Sequence, residues 1–276
     1  MKKGIRIIFN KLVRSLIRVK PGARLFQLFS ALSMDIVEVV RHNNVELKLV
    51  CPNRFAFWRA RSFSTKEPET LRWIDQFSEN AVFYDIGANV GLYSLYAAKK
   101  NIKVYSAEPS VFNLELLARN IYNNQLVSGI TILPVAISNE NKESQLLMTS
   151  TDWSGALSTF GSDIGYDGGK IQSKFSLPTI GFTLDALIAA LKLPLPDYLK
   201  IDVDGIEHFI LEGSTDILRN VKEIHIEIND DFAKQEKVCR ELLTKSGFML
   251  RDKQRSDLFD GSDFSNSYNQ TWVKQR

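Results

Sequence analysis

The sequence predicts an α/β fold built on a mostly parallel sheet, because short apolar runs alternate with segments of helical periodicity. The first run, Ala81–Ile86, leads into the glycine turn Gly87–Gly91, and a helix follows it. The second run, Lys103–Ala107, is followed by the acid Glu108 and another helix. Strands that are joined through helices pair in parallel by right-handed crossovers, so we expect one sheet with helices on both faces.

Length and composition fit one large domain or one domain with an extension. The chain has 276 residues, of which 44% are hydrophobic and 24% charged, as in a folded protein with a sizeable core. We place an N-terminal basic helix and β-hairpin extension at residues 1–63 and the ligand-binding domain at residues 64–276. Two distant cysteines and three histidines predict no disulfide framework and no histidine-rich metal site, and we expect a cytoplasmic protein. A net charge of +3 is too small to indicate a nucleic-acid partner.

The first 24 residues carry eight lysines and arginines and no acid. Apolar residues from Ile5 to Ile17 fall at helical spacing, and Arg14 and Arg18 lie on another face. A basic amphipathic helix can lie on an anionic membrane, so residues 1–24 are a candidate for peripheral membrane contact. The alternative is a helix that packs on the domain and leaves its basic face in solvent. The sequence has no signal-peptide pattern and no run near the ~20 apolar residues of a membrane-spanning helix.

The residues before the first parallel strand predict a β-hairpin and a helix. Ile36–Val40 and Val45–Cys51 flank a polar turn, and charged residues alternate with apolar ones in the second segment, as in a half-exposed strand. Ser64–Glu67 has the form of a capping box, and Pro68 fits the first turn of a helix that we expect to run to Phe77.

The elements after the glycine turn continue the alternation of strand and helix. We predict, in order, helix Val90–Lys100, helix Phe112–Tyr122, strand Gly129–Ala136, an extra edge strand at Gln145–Met148, an extended segment Phe175–Ile180, helix Phe182–Leu191, strand Tyr198–Val203, a mostly helical Gly205–Asn220, strand Glu223–Asn229, helix Phe232–Ser246, and a terminal hairpin of Phe248–Leu250 with Gln270–Val273.

The segment Thr151–Ser176 differs from the rest because it holds five glycines among serines and aspartates. A loop of this length in a compact domain is usually functional or disordered, and its aromatic residues argue against pure disorder. We interpret it as a lid or a substrate-side loop, and the alternative is a mobile insertion.

The glycine turn has the features of a nucleoside site. Gly87, Asn89 and Gly91 form a turn that leaves backbone N–H groups at a helix N-terminus, which suits an anionic group or a close backbone approach. Asp85 ends the strand, where a carboxylate can meet a cation, and Glu108 stands 21 positions after Gly87, where an acid can accept hydrogen bonds from ribose hydroxyls. The pattern G-x-G-x-x-G of dinucleotide sites is absent. S-adenosylmethionine, a nucleoside that carries an amino acid and a sulfonium cation, fits better, and a turn without a ligand is the alternative.

A second acidic cluster follows the fourth predicted strand. Asp202, Asp204, Glu207 and His208 lie in a turn and the start of a helix, and Glu227 lies near the end of the next strand. Ligands of open α/β sheets bind at this edge. These side chains could take or hold the proton of a methyl acceptor, hold a divalent metal, or cap a helix N-terminus, as we favour for Glu207. Nothing fixes a ligand geometry, and we predict no metal.

With both clusters in view, the chain resembles the FkbM family of S-adenosylmethionine-dependent methyltransferases from about Glu67 to Asn229. The motifs that carry the resemblance are Glu67-Pro68-Glu69, Tyr84 to Gly91 (Y-D-I-G-A-N-V-G), Ala107-Glu108-Pro109, Asn120, Val135-Ala136-Ile137-Ser138, Thr183-Leu184-Asp185, Lys200 to Glu207 (K-I-D-V-D-G-I-E) and Ile226-Glu227-Ile228. Each motif alone is weakly specific, whereas all of them in this order and at these separations are strongly specific. The family often has Glu where Asp204 stands.

The resemblance implies a Rossmann-like class I methyltransferase fold with a seven-stranded sheet, six strands parallel and one antiparallel at an edge. It implies methyl transfer from S-adenosylmethionine, usually to a hydroxyl of a sugar, a glycan or a secondary metabolite. Carried over by position, the cofactor-binding residues are Glu67, Asp85, Gly87, Asn89, Gly91, Glu108, Ser110, Ala136 and Asp202. The candidate catalytic residues are Asp202, Asp204, His208 and Glu227, with Asp202 or His208 as the base.

Three other functions stay open at this point. A non-catalytic nucleoside-binding module, docked on a membrane by its basic N-terminus, would keep the glycine turn, but it would not need both acidic clusters. An NAD-dependent oxidoreductase would be expected to have G-x-G-x-x-G. A nucleic-acid methyltransferase is disfavoured because the basic patch is confined to the N-terminus. The expected partner is a small-molecule or glycan acceptor.

Overall fold

The computed structural model describes residues 11–275. Its strands are β1 (Val37–His42), β2 (Val45–Val50), β3 (Val82–Ile86), β4 (Lys103–Ala107), β5 (Ile130–Leu133), β6 (Ala136–Ile137), β7 (Lys142–Met148), β8 (Ser158–Phe160), β9 (Phe175–Phe182), β10 (Tyr198–Ile201), β11 (Glu223–Asn229), β12 (Phe248–Gln254) and β13 (Ser267–Lys274). Its helices are α1 (Lys20–Ser33), α2 (Arg54–Arg61), α3 (Phe63–Lys66), α4 (Pro68–Ile74), α5 (Leu92–Lys99), α6 (Val111–Asn123), α7 (Leu184–Leu191), α8 (Glu207–Glu212) and α9 (Ala233–Lys245). Residues 11–17 are helical as well, and 3-10 turns lie at Ile217–Arg219 and Asp257–Phe259.

The main sheet has seven strands in the order β12-β13-β11-β10-β3-β4-β5. Parallel pairing runs from β11 to β5, and β13 is antiparallel to both of its neighbours. The predicted seven-stranded, mostly parallel sheet is therefore confirmed. The expected position of the antiparallel strand is wrong: β13 lies second from the edge, because the chain leaves edge strand β12 and returns between β12 and β11.

The main sheet separates two hydrophobic cores. Phe83 and Val104 face the core that α4, α5 and α6 cover, whereas Tyr84 and Tyr105 face the core that α7, α8 and α9 cover. Adjacent residues of a strand point to opposite faces, so an apolar run without alternation places large side chains in both cores. The prediction of helices on both faces is confirmed.

A second, four-stranded sheet stands beside the main one, in the order β6-β9-β7-β8. The predicted edge strand at Gln145–Met148 is wrong in its place, because β7 lies between β9 and β8 in this second sheet. The predicted strand Gly129–Ala136 is also divided. It ends at Leu133 in the main sheet, and Ala136 begins β6 in the second sheet.

The β1–β2 hairpin is confirmed, and it packs on the main domain. The side-chain oxygen of Asn120 accepts a hydrogen bond from the backbone N–H of Val50 at 2.8 Å, and that of Asn124 accepts one from Lys48 at 2.9 Å. The inward side chains of β2 join the core of α4, α5 and α6. The domain boundary at residue 63 stays a sequence-based prediction, since the two parts share this core.

The predicted capping box is wrong. The Ser64 hydroxyl donates to the Arg41 carbonyl at 3.3 Å, and α3 ends at Lys66. Glu67 takes the N-cap position of α4 without a side-chain cap, because its carboxylate pairs with Lys66 and lines a cavity. Pro68 begins α4, as expected.

The predicted helix over Gly205–Asn220 is shorter in the structure. It is reduced to α8 and a 3-10 turn, which are separated at Gly213. A Cβ at Gly213 would lie 2.3 Å from the Ser138 carbonyl oxygen, so the backbone passes too close to this neighbour for a side chain there.

Candidate active site

A cavity of about 860 Å³ opens at the carboxyl ends of β3, β4, β10 and β11. This volume lies within the roughly 300–1,000 Å³ of small-molecule sites. Many of the candidate residues line it: Glu67, Gly87, Asn89, Glu108, Ala136, Asp202, Asp204 and Glu227. Asp85, Gly91, Ser110 and His208 are outside its lining.

The glycine turn after β3 requires its glycines. Gly87 has φ +84°, and a Cβ there would lie 1.9 Å from the Asp202 carbonyl oxygen. Gly91 has φ +87° at the N-cap of α5, and its Cβ would lie 2.4 Å from the Leu117 side chain. Gly87 therefore allows β3 and β10 to end side by side in the cavity floor, whereas Gly91 serves the packing of α5 on α6.

Glu108 is a buried carboxylate that its own chain holds in place. One oxygen accepts the backbone N–H of Asn89 and the other that of Ser110, both at 2.8 Å. Burial raises the pKa of Glu108 to about 7, although these hydrogen bonds oppose the shift. The two donors fix the carboxylate at the cavity wall, and its remaining lone pairs can accept hydrogen bonds from a ligand.

Apolar backbone and side chains form a slot beside Glu108. The slot is lined by Ala107, Pro109, Val135, Ala136 and Ile137. Asn113 also lines the cavity, and its buried amide oxygen has no partner among residues 11–275. A flat heterocycle with an N–H donor fits such a slot. Asn113 was not a candidate from the sequence, because it lies outside the motifs.

Asp85 lies beneath the cavity floor. One carboxylate oxygen accepts the Ser94 hydroxyl at 2.6 Å, and Ser94 in turn accepts the Ser106 hydroxyl at 2.7 Å. The other oxygen is buried and has no partner in the described part of the chain. Burial raises the pKa of Asp85, while the nearby charge of Lys200 lowers it.

A buried charged cluster joins β10, β11 and the start of α4. Lys200 is 1% exposed and donates to the Asp202 carboxylate at 2.7 Å. Burial would raise the pKa of Glu67, but the charges of Lys66 and Lys200 lower it to about 2. Glu227 behaves in the opposite way, because burial and then the charges of Asp202 and Glu67 raise its pKa well above the usual value. The cluster thus places two differently tuned carboxyl groups, Glu67 and Glu227, beside Asp202.

Asp204 lines the cavity but is engaged by the neighbouring loop. Its carboxylate accepts the backbone N–H of Leu157 at 2.7 Å and that of Ser158 at 3.4 Å. Burial raises the pKa of Asp204 to about 6, and these hydrogen bonds oppose the shift. The arrangement gives Asp204 the role of holding the loop against the turn after β10.

His208 is not brought to the cavity. Its ring is buried between Phe209 and Phe232, with centroid distances of 4.3 and 5.9 Å, and neither ring nitrogen has a hydrogen-bond partner among residues 11–275. Glu207 accepts the backbone N–H groups of Val203 and Gly205. Glu207 thus holds the turn that precedes α8, and the side-chain cap that we expected on the N–H groups of the helix itself is not formed. His208, the next residue of α8, points into the core.

The loop predicted as a lid lies over the glycine turn. The Asn89 side-chain amide donates to the Gly155 carbonyl at 2.7 Å, and Asn113 donates to the same oxygen at 3.2 Å. Arg59 of α2 donates to the Ser154 carbonyl at 3.1 Å. Residues 154–158 also line the cavity, so the loop forms one of its walls.

Part of the cavity lining is basic and aromatic, and we call this part the basic half of the cavity. Phe55, Trp58, Phe259 and Phe264 line it, together with the cations Arg54, Arg59 and Lys174. Within the described range 11–275, no carboxylate lies within 4.0 Å of the charged groups of these three cations. None of these residues was a candidate from the sequence, because they come from α2, from the loop before β9 and from the chain between β12 and β13.

Residues 11–275 contain neither a metal-binding cluster nor a membrane-spanning helix. No group of three or more His, Cys, Asp or Glu side chains between residues 11 and 275 is arranged to hold a metal ion. In the same part of the chain, no helix has the length and apolar character needed to cross a membrane.

Comparisons with known proteins place this site in context. The family model described as "Methyltransferase FkbM domain" matches residues 85–253, more than half of the chain. Hexuronic acid methyltransferase AglP of Haloferax volcanii is 25% identical over 174 residues, which cover 62% of this chain and 66% of that protein, just under two thirds. Methyltransferase sdnD of Sordaria araneosa is 34% identical over 67 residues, 24% of this chain and 26% of that protein. The solved structure of methyltransferase FkbM from Methylobacillus flagellatus aligns over 72% of this chain and 44% of its own, with 16% identity and a TM-score of 0.45.

Proposed function

The chain belongs to the FkbM family of methyltransferases, which use S-adenosylmethionine, and from this premise we propose that it methylates a hydroxyl group of an acidic sugar or glycan. The resemblance drawn from the motifs is confirmed by the family match. The observation that carries the finer proposal is that one cavity is lined both by acidic residues, among them Glu108, and by aromatic rings with the cations Arg54 and Arg59. We assign the acidic part of the lining to the cofactor and the basic part to the acceptor, and we call them the two halves of the cavity.

The acidic half has the features that S-adenosylmethionine needs. Glu108 presents fixed carboxylate oxygens to ribose hydroxyls, and the apolar slot at Ala136 takes the adenine. Gly87 lets a ligand approach the backbone closely. The unpartnered oxygen of Asp85 and the carboxylate of Glu67 suit the positive charges of the amino-acid end. Gly91 and Ser110 support these groups through packing and a backbone hydrogen bond.

Asp202 is our candidate for the base. When bound, S-adenosylmethionine supplies an activated methyl group on a sulfonium. The chain then has to align the acceptor, exclude water and remove the hydroxyl proton. Asp202 lines the same cavity, and Lys200 holds its carboxylate in one orientation at 2.7 Å. Glu227 lines the same cavity, and burial raises its pKa, so that in its protonated form it can donate a hydrogen bond to a ligand. His208 has no part in this mechanism, because it is outside the cavity lining.

The basic half suits an acceptor that carries a carboxylate. Arg54, Arg59 and Lys174 are cations at the wall, and the aromatic rings of Phe55 and Trp58 offer flat faces to the C–H face of a sugar. The relative AglP is named for hexuronic acid, a sugar with one carboxylate. This name supports an acidic sugar as the acceptor here.

Calorimetric titration with S-adenosylhomocysteine tests the cofactor half. We expect micromolar affinity, about −8 kcal/mol, for the wild type and weaker binding for Asp85→Ala. The acceptor half is tested by transfer of labelled methyl from S-adenosylmethionine to oligosaccharides that contain hexuronic acid, with neutral oligosaccharides as the control. Transfer to the acidic set alone supports the proposal. Binding without transfer to either set would leave the non-catalytic module as the better hypothesis, and binding of NADH instead would favour the oxidoreductase.

A further inference from the structure

Helix α1 has an apolar stripe that the other described residues, 11–19 and 34–275, leave uncovered. Leu25, Leu28, Phe29 and Leu32 follow each other at the spacing of one helix face, and their side chains are 51, 55, 57 and 49% exposed. No residue of α1 is buried. The helix predicted from Ile5 to Ile17 lies partly outside the described residues and α1 begins after it, so α1 does not decide between the two alternatives given for that helix. We call these four residues the α1 stripe.

The same region is uniformly basic. Five cations lie between residues 11 and 24: Lys11, Arg14, Arg18, Lys20 and Arg24. All five are exposed, and none has a carboxylate within 4.0 Å in the part of the chain that the structure describes. The first acid of the sequence is Asp35, which follows the end of α1. The surface thus combines an apolar stripe with a single sign of charge.

The apolar stripe and the positive charge together indicate which kind of partner can bind this surface. A second copy of the chain would bring two sets of five cations together, and like charges in a contact are unfavourable. A nucleic acid would use the cations but would leave Leu25 and Phe29 in water. An anionic lipid bilayer uses both features, since apolar side chains enter the boundary of the acyl chains while lysines and arginines meet the headgroups.

We propose that α1 docks the protein on the surface of an anionic bilayer, with the α1 stripe inserted and the five cations on the lipid headgroups. Met34 follows α1 directly and packs against the core that β2 and α5 share. The docked helix is thereby joined to the main domain through a packed residue. The proposal is independent of the methyl acceptor, because no residue of α1 lines the cavity.

Sedimentation of the full chain with lipid vesicles tests this docking. The vesicles are made of phosphatidylcholine alone or of phosphatidylcholine mixed with phosphatidylserine. One variant removes the stripe (Leu25→Ser with Phe29→Ser), and another removes charge (Arg14→Gln with Arg18→Gln). The matched control, Tyr122→Ser with Val127→Ser, changes two residues that are 74 and 68% exposed elsewhere. Thermal melting shows that each variant is folded.

We expect the wild type and the control to sediment with the anionic vesicles and not with phosphatidylcholine alone. The stripe variant should bind at least about tenfold more weakly, and the charge variant about fivefold more weakly for each cation lost. The proposal is overturned if the wild type stays in the supernatant, or if the stripe variant binds as well as the control. It is also overturned if light scattering shows a dimer that the stripe variant dissociates, because a second copy would then cover the stripe.

Discussion

The two halves of the cavity are built in different ways. The centre of the cofactor half, from Asp85 to Ser110, comes from one continuous stretch, in which Asn89 and Ser110 hold Glu108 through backbone N–H groups. The acceptor half is assembled from α2, the loop before β9 and the chain that follows β12, and its side chains carry the chemistry. In the cofactor half, backbone N–H groups fix the position of the Glu108 carboxylate. In the acceptor half, the side chains themselves supply the positive charge.

This difference shows where the two halves tolerate change. In the cofactor half, a larger side chain can clash with neighbouring backbone. At Gly87, for example, a Cβ would lie 1.9 Å from the Asp202 carbonyl oxygen. A substitution of Arg54 causes no clash, because this side chain is exposed to solvent in the cavity wall. We therefore expect changes in the first half to alter cofactor affinity and changes in the second half to alter acceptor choice.

The largest effect is expected for Asp202→Asn, because Asp202 is our candidate for the base. If Asp202 is the base, kcat falls by about 10²–10⁴-fold, the usual contribution of a positioned base. Affinity for S-adenosylhomocysteine should stay within about threefold, because the amide keeps the size of the side chain. Single-turnover rates and calorimetry measure the two quantities. Asp152→Asn, an exposed change in the cavity wall, is the control. Equal losses of rate and affinity would assign Asp202 to the cofactor half instead.

Glu108→Gln should produce the next largest effect, confined to the cofactor half. The amide NH₂ group would face the backbone N–H of Asn89 or Ser110, so one of the two hydrogen bonds is lost. The amide NH₂ group also replaces an oxygen that would accept a ribose hydroxyl. A hydrogen bond to a charged group contributes roughly 1.5–3 kcal/mol, so the Kd of S-adenosylhomocysteine should rise about 10- to 100-fold. At saturating cofactor, kcat should change little. A variant that binds the cofactor normally but fails to turn over would contradict this division of the cavity.

The cofactor half could be predicted because its signal is local. The strand, the glycine turn and the acid lie within one βαβ unit, so spacing along the chain reports distance in space. The positions of Gly87 and Glu108 follow from this rule. Gly91 shows its limit, since the same pattern does not say that this glycine serves the packing of α5 on Leu117.

The acceptor half could not be predicted because its residues are far apart in the sequence. Arg59 and Phe259 line one cavity although 200 positions separate them. His208 shows the reverse error: it follows the acidic motif in sequence, but its position in α8 directs its ring to Phe232. The face of a helix on which a residue lies depends on where the helix begins. Asp204 and Gly205, just before α8, have positive φ, and the hydrophobic periodicity of the sequence does not indicate such a turn.

Arg54→Gln tests whether charge in the acceptor half selects the substrate. We expect KM for an acidic acceptor to rise about tenfold, the loss of a hydrogen bond to a charged group, with no change for a neutral acceptor. Affinity for S-adenosylhomocysteine should be unchanged. Arg61→Gln is a matched control, because Arg61 lies on the same helix outside the cavity and pairs loosely with Glu38 at 3.7 Å. If both variants behave alike, the effect comes from the general charge of α2 and not from the cavity.

The smallest expected effect is a pH dependence that Glu108 causes in the cofactor half and that the basic half does not share. Burial raises the pKa of Glu108 to about 7, so this carboxyl favours folding below its unfolded pKa of about 4.5 and loses that contribution as pH rises through 7. Hydrogen bonds from ribose favour the ionised form, so cofactor binding should have the opposite trend. We expect affinity for S-adenosylhomocysteine to increase several-fold from pH 6 to pH 8 while Glu108 lowers the free energy of unfolding over the same range. Calorimetry and urea unfolding at both pH values measure the two trends. Both trends should vanish in Glu108→Gln and persist in Arg54→Gln, because only the first variant removes the buried carboxyl. If a trend persists in Glu108→Gln, another acid of the cavity, such as Asp204, causes it.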